Sequence, residues 1–201
     1  MKYFEDDDSD EIKQSKEGRF FNQHFLKQRK IFLWGPVMDD SARDITNRLL
    51  YLEDQKPGEN IYFFINSPGG VVTSGMVIYD TIKMISSPVV TICTGLAASM
   101  ASILLSVGAK GKRYIYPNGR VLIHQPSIGE TMGDATDLEI EAREIVKIKH
   151  LGAEILATNC SQPIEKIYKD FDRDYWMDAN EALQYGIVDK IVNKMDEIYL
   201  K

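Results

Sequence analysis

"VVTICTGLAASMASILLSVG", residues 89–108, changes character halfway along. Its first five residues are β-branched or apolar without a break, the pattern of a strand buried on both faces. From Ala97 onward small residues and leucines take over, a composition that favours helix. A strand that feeds a helix through a tight junction is the repeating unit of a parallel α/β fold. The junction carries Ser99, and its small neighbours Ala97 and Ala98 leave room for backbone or ligand to approach closely.

The same alternation extends in both directions. Upstream, "IYFFI" (61–65) is a buried strand that breaks at "NSPGG" (66–70), and 72–85 is a helix with Met76, Tyr79, Ile82, Met84 and Ile85 apolar. Before that, "KIFLWGPV" (30–37) is a strand ending at Gly35-Pro36. Residues 39–55 form a helix capped by Asp39, Asp40 or Ser41, with Ala42, Ile45, Leu49 and Leu52 on one face. Downstream, 112–116 and 120–124 are short strands around the turn "PNG". The glycine-bearing stretch 126–136 leads into a long amphipathic helix over 137–158, with Ile145, Ile148, Gly152 and Ile155 on one side. A short helix at 163–169, another at 178–185 and a last strand at 187–192 complete the pattern, which predicts α/β with mainly parallel crossovers. Residues 1–18, with the acid block "EDDDSDE" (5–11), read as a flexible acidic arm, and 19–201 as one domain.

Composition narrows the function. At 201 residues the chain is long enough for one full core. A net charge of -6 argues against nucleic acid, and the basic clusters Lys27–Lys30 and Lys110–Arg113 are short enough to be solvated surface or strand ends. No run reaches the ~18 apolar residues of a membrane span, and the acidic start is not a secretory signal. Cys93 and Cys160 make neither a disulfide framework nor a zinc pattern, so a reducing cytoplasm is expected, with Cys93 a small buried filler.

Three places could carry chemistry. Ser99 stands where a helix start offers unpaired N–H groups, although the elbow pattern G-x-S-x-G is absent. Taken alone it reads as a helix-start or core serine bonded to a nearby carbonyl. His124 ends the strand 120–124. Of the three histidines it alone has an address suited to a base; the bland alternative is a core histidine. Gly69-Gly70 frees the backbone to aim N–H groups at a ligand, or makes a plain turn. A serine nucleophile and a histidine base require an orienting carboxylate, and the 30 acidic residues leave that choice open.

The blocks "INSPGG" (65–70), "YDTI" (79–82), "TGLAASMAS" (94–102), "GAKGKR" (108–113), "IHQP" (123–126), "ATDLEIEAREI" (135–145) and "DRDYWM" (172–177) with "ANEALQYGIVD" (179–189) together resemble the proteolytic-subunit (ClpP) family of the Clp proteases. They occur in family order over roughly residues 20 to 195. The resemblance implies a crotonase-like spiral of βαβ units, with a protruding helix-strand handle built from the long helix and the segment before it. It implies a serine endopeptidase with Ser99 as nucleophile, His124 as base and Asp174, rather than Asp170 or Asp172, as orienting acid. The backbone N–H groups of Gly70 and Met100 match the oxyanion hole. Tyr62 and Phe64 match aromatic residues of a groove where a hexameric ATP-driven unfoldase docks; otherwise they are core strand. The implied assembly is two stacked heptameric rings of this chain, a tetradecamer, taking unfolded polypeptides from the unfoldase. ATP is used by that partner, and no cofactor or metal is implied here, nor a nucleic-acid or membrane partner.

The sequence departs from the family pattern at Ala101, where glycine is usual, and at Trp176, where phenylalanine is usual. It departs also in the acidic arm, expected near the axial pore, and in a segment after His124 one residue longer than common members. Two alternatives follow from the same resemblance. One is a subunit that is structural, or active only in mixed rings with a paralogue. The other is a crotonase-fold enzyme that binds acyl-CoA.

Overall fold

A computed structural model describes residues 16–127 and 133–199. The apolar runs become strands because each can bury both faces. β1 (Lys30–Trp34), β2 (Ile61–Ser67) and β3 (Val89–Ala98) lie side by side in parallel. Side chains alternate across a strand, and the two faces of this sheet differ. Ile31, Leu33, Phe63, Ile65 and Cys93 belong to the main core, which includes α2 (Asp39–Gln55), α3 (Val72–Met84) and α4 (Met100–Ser106). Phe32, Tyr62, Phe64, Val90 and Ile92 belong to a smaller aromatic cluster on the other face. The chain returns there near its end, through the 3₁₀ turn Met195–Glu197, to bury Ile198 and lay Tyr199 against Tyr62.

β4 (Arg113–Ile115), β5 (Arg120–Ile123), β6 (Tyr175–Met177) and β7 (Lys190–Ile191) complete the seven strands of the described residues. Every pairing is parallel except β5 with β6. β3 pairs β4 over Thr91–Cys93 and β5 over Leu96–Ala98, so it changes neighbour partway along. Beyond β5 come the long α5 (Ala135–Cys160), α6 (Ile164–Phe171) and α7 (Ala179–Tyr185). No described helix is long and apolar enough to cross a membrane.

Several elements differ from the sequence expectation. The strand beginning at Val89 runs through "TGLAA" to Ala98, and α4 starts only at Met100. Pairing with β5 overrides the weak strand preference of alanine and glycine. The first helix, α1 (Lys16–Lys27), was not anticipated; its Leu26 packs on the main core while Phe20 and Phe21 stay exposed. α2 is capped at Met38, not at Asp39, Asp40 or Ser41: the Met38 N–H donates to Ser41 Oγ, and Asp39 accepts from the Ser74 hydroxyl. On α3, Met84 is 85% exposed instead of core. α5 is longer than the expected 137–158, and burial along it is confined to its second half, from Gly152 to Cys160. The strand expected over 187–192 shrinks to β7.

Two basic residues turn out to be internal staples. Arg113, 4% exposed, donates from Nε and Nη2 to the two carboxylate oxygens of Asp189 at 2.9 and 2.5 Å, and from Nη1 to Asn159 O at 2.8 Å. Burial pushes the Asp189 carboxyl up, but the hydrogen bonds from Arg113 outweigh it and hold the group below its ordinary range. Arg29 has φ 58° and donates to the carbonyls of Leu52, Glu59 and Asn60, so it closes the end of α2 onto the turn before β2.

Candidate active site

β2 is followed by Pro68-Gly69-Gly70, and both glycines are required. Gly69 has φ 89°, and a Cβ there would stand 2.6 Å from Ala98 O and 2.7 Å from Ser99 Cβ. Gly70 has φ 149°, and its Cβ would stand 2.2 Å from Val37 O. The glycine pair is therefore pressed between the Val37 backbone and Ser99. A parallel bridge fixes this approach: Val37 N–H donates to Gly69 O at 2.8 Å and Val71 N–H to Val37 O at 2.9 Å.

Ser99 lies between β3 and α4 with φ 54° and ψ −126°, a conformation costly for a residue with a side chain. Neighbours hold it there. Its N–H donates to Leu122 O on β5 at 2.9 Å, and its carbonyl accepts from Ser102 N at 2.9 Å and Ser102 Oγ at 2.6 Å. The second serine of the opening stretch thus ties down the first α4 turn. The Ser99 hydroxyl neither caps α4 nor bonds any described residue. Among the described residues the N–H groups of Gly70 and Met100 are likewise unengaged.

His124 follows β5 directly. It lines with Ser99 a cavity of about 30 Å³, walled by Met100, Ile103, Ile148 and Phe171 among others. His124 also lines, with Asp172, Arg173 and Asp174 among others, a second cavity of about 430 Å³. The antiparallel register Ile123↔Tyr175 explains the meeting, because His124 follows Ile123 and Asp174 precedes Tyr175. His124 Nδ1 stands 3.6 Å from Asp174 Oδ1, beyond hydrogen-bond length. The other two acids of this stretch are occupied. Asp170 pairs with Lys166 at 2.5 Å and accepts from Tyr185 at 3.1 Å, and Asp172 pairs with Lys149 at 3.2 Å.

The remaining expected positions are spread around this centre. Ala101 is fully buried. Trp176 is exposed, its ring centroid 5.8 Å from the Arg120 guanidinium. Phe64 is buried and stacked on Phe32 at 5.1 Å; Tyr62 is half-buried, 4.9 Å from Tyr199 between ring centroids. Burial raises both thiols, Cys93 and Cys160, to about 12, so neither serves as a nucleophile. Among the described residues no group of three or more His, Cys, Asp or Glu side chains could hold a metal ion. The acid block 5–11 and residues 128–132 lie outside the described residues. The sequence reading counts Asn66 into the break "NSPGG" and gives it no role of its own; its side chain accepts from Leu96 N–H at 3.1 Å, a partner 30 residues away.

A parallel α/β sheet that ends in a strained serine facing a histidine across a cavity has the parts of a nucleophilic hydrolase. The whole chain defines the family more narrowly. The model of the Clp protease family matches residues 13–195, and the chain belongs to that family. Its fold is the mixed α/β fold of that family and its activity that of a peptidase.

Proposed function

We propose that the chain is the proteolytic subunit of an ATP-dependent Clp protease, a serine endopeptidase with Ser99 as nucleophile, His124 as general base and Asp174 as the acid that orients it. One observation carries this reading: an unengaged serine hydroxyl in a strained, fixed conformation shares a cavity with His124, which stands 3.6 Å from Asp174, the one acid of the three with no lysine partner among the described residues. In the reaction Ser99 Oγ attacks the peptide carbonyl as its proton passes to His124 Nε2. His124 then protonates the departing amine, and water, activated by His124, releases the acyl group and restores the serine. The N–H groups of Gly70 and Met100 stabilise the oxyanion; loss of one such donor typically costs about 10²–10³ in rate.

The reading extends to assembly. Leu138, Ile140 and Val146 on α5 and Leu50 and Tyr51 on α2 are exposed apolar side chains of the kind that subunit contacts cover. They support subunit contacts, and the family resemblance makes the assembly two stacked heptameric rings. A hexameric unfoldase docks at the aromatic face of Tyr62 and Phe64, spends ATP and feeds unfolded polypeptide into the rings. The family resemblance implies a site that works in the assembly, with like subunits or a paralogue. The test is hydrolysis of a fluorogenic peptide over a dilution series. Specific activity that falls on dilution and returns when subunits are added back supports the reading; hydrolysis unaffected by Ser99→Ala defeats it.

A further inference from the structure

β3 has two sets of neighbours, and only the second leads to His124. Over Thr91–Cys93 it runs beside β4; over Leu96–Ala98 it runs beside β5, the strand that His124 follows. On the β2 side the pairing passes from Ile65↔Cys93 to Ser67↔Ala97, so Thr94, Gly95 and Leu96 stand opposite the single residue Asn66. One residue cannot pair three through its backbone, and Asn66 has already turned its carbonyl to β1, where it accepts from Gly35 N–H at 3.0 Å. The side chain supplies the missing partner: Asn66 Oδ1 accepts from Leu96 N–H at 3.1 Å. Thr94 Oγ1 donates to Ile65 O at 3.2 Å on the near side of the bulge. Gly95 leaves the space the amide fills, since a Cβ there would stand 2.7 Å from Asn66 Oδ1.

We propose that Asn66 is a positioning residue for catalysis: its amide holds the β3 bulge in the register that carries Ser99 from β4 to β5 and so to His124. The chain of contacts is short. Asn66 fixes Leu96; Leu96, Ala97 and Ala98 pair with Arg120, Val121 and Leu122; Ser99 N–H then reaches Leu122 O. A bulge next to an active site serves to re-aim a side chain, and a misplacement of about 1 Å can cost about 10²-fold in rate. This role rests on the reading of Ser99 and His124 as nucleophile and base.

The test compares Asn66→Ala, which removes the acceptor, with Asn66→Asp, which keeps one. Gly95→Ala serves as a second route that crowds the amide while Asn66 itself is unchanged. Amide hydrogen exchange at Leu96 and Ser99 is read against Thr91, which is bonded to Lys112 O on the regular half of β3. Peptide hydrolysis is measured on the same assembled samples. In Asn66→Ala, Leu96 and Ser99 should lose protection while Thr91 keeps it. In the same variant kcat should fall about 10²-fold with KM nearly unchanged, the signature of a lost transition-state alignment. Asn66→Asp should recover most of both, and Gly95→Ala should mimic the loss. Asn66→Ala with Ser99 still protected and kcat intact overturns the proposal, as does an Asp variant no better than Ala. If Asn66→Ala unfolds broadly, with Thr91 also exposed, Gly95→Ala decides in the same way. A wild type that hydrolyses nothing would count against the nucleophile reading, while exchange at Leu96 and Ser99 would still decide whether Asn66 holds the register.

Discussion

The two halves of β3 are built on opposite principles. Val89–Cys93 is buried, β-branched or apolar, and paired in regular parallel register on both sides. Leu96–Ala98 ends in two alanines, is displaced by a bulge, is joined to a different neighbour and is followed by a serine with positive φ. Stability belongs to the first half, where the helix-facing core and the aromatic cluster both rest on it. The proposed chemistry belongs to the second, where glycine and alanine let backbones close on Ser99 and where the strain is held by fixed bonds to Leu122 and from Ser102. Irregularity at one end of a strand is tolerable because the other end is over-determined.

That contrast can be broken from either side. The largest effect should come from Ser99→Ala, which lowers peptide hydrolysis by about 10⁶-fold and leaves the thermal midpoint nearly where it was, since the lost hydroxyl bonds nothing described. Equal losses of activity and stability in kinetics and calorimetry would erase the distinction. Next, Asp174→Asn should cost about 10³–10⁴ in kcat by misorienting the imidazole. Asp170→Asn and Asp172→Asn should cost far less, because Lys166 and Lys149 occupy those acids. Similar kcat values for the three variants would remove Asp174 from its role.

The regular half should fail differently. Asp189→Asn leaves the buried Arg113 charge uncompensated beside β4 and should cost about 3–5 kcal/mol of stability in urea unfolding. The kcat of the folded fraction should not change. The smallest effect concerns acid. Hydrogen bonds from the Ser86 hydroxyl, first, and from the backbone N–H groups of Ser86 and Ser87 hold the Glu53 carboxyl at about 2, well below its ordinary 4.5, at the turn that leads into β3. A carboxyl depressed in the folded state contributes stability that is complete above its ordinary value and is lost as pH falls from about 4.5 toward 2. Glu53→Gln should therefore narrow the difference in urea midpoint between pH 6 and pH 3; an unchanged difference would show that Glu53 carries none of it.

The sequence displays the regular half far better than the irregular one. Long runs such as "IYFFI" and "VVTIC" declare their strands, and the apolar stripe Ala42, Ile45, Leu49 and Leu52 declares α2, because burial periodicity is local. The end of β3 is not local: "TGLAA" has little strand preference, and only Ser67 and β5 make it one. Gly69 and Gly70 were legible as a freed backbone, but that they press on Ser99 and Val37 was not. Ser99 and His124 stand out by address and by resemblance. Asp174 becomes distinct by geometry only through the antiparallel register of β5 and β6, which brings it rather than Asp170 or Asp172 to His124. Asn66 was invisible for the same reason, since its partner lies 30 residues away. α1 escaped notice because its aromatic residues are largely exposed, leaving no clean buried stripe to detect.

The most direct measurement is the intact mass of the purified protein after treatment with a fluorophosphonate, beside Ser99→Ala treated in the same way. A single adduct on the wild type, absent from the variant, is the expected result and means that the strained serine is an activated nucleophile. An adduct of equal yield on both proteins would contradict the assignment, as would none on the assembled wild type.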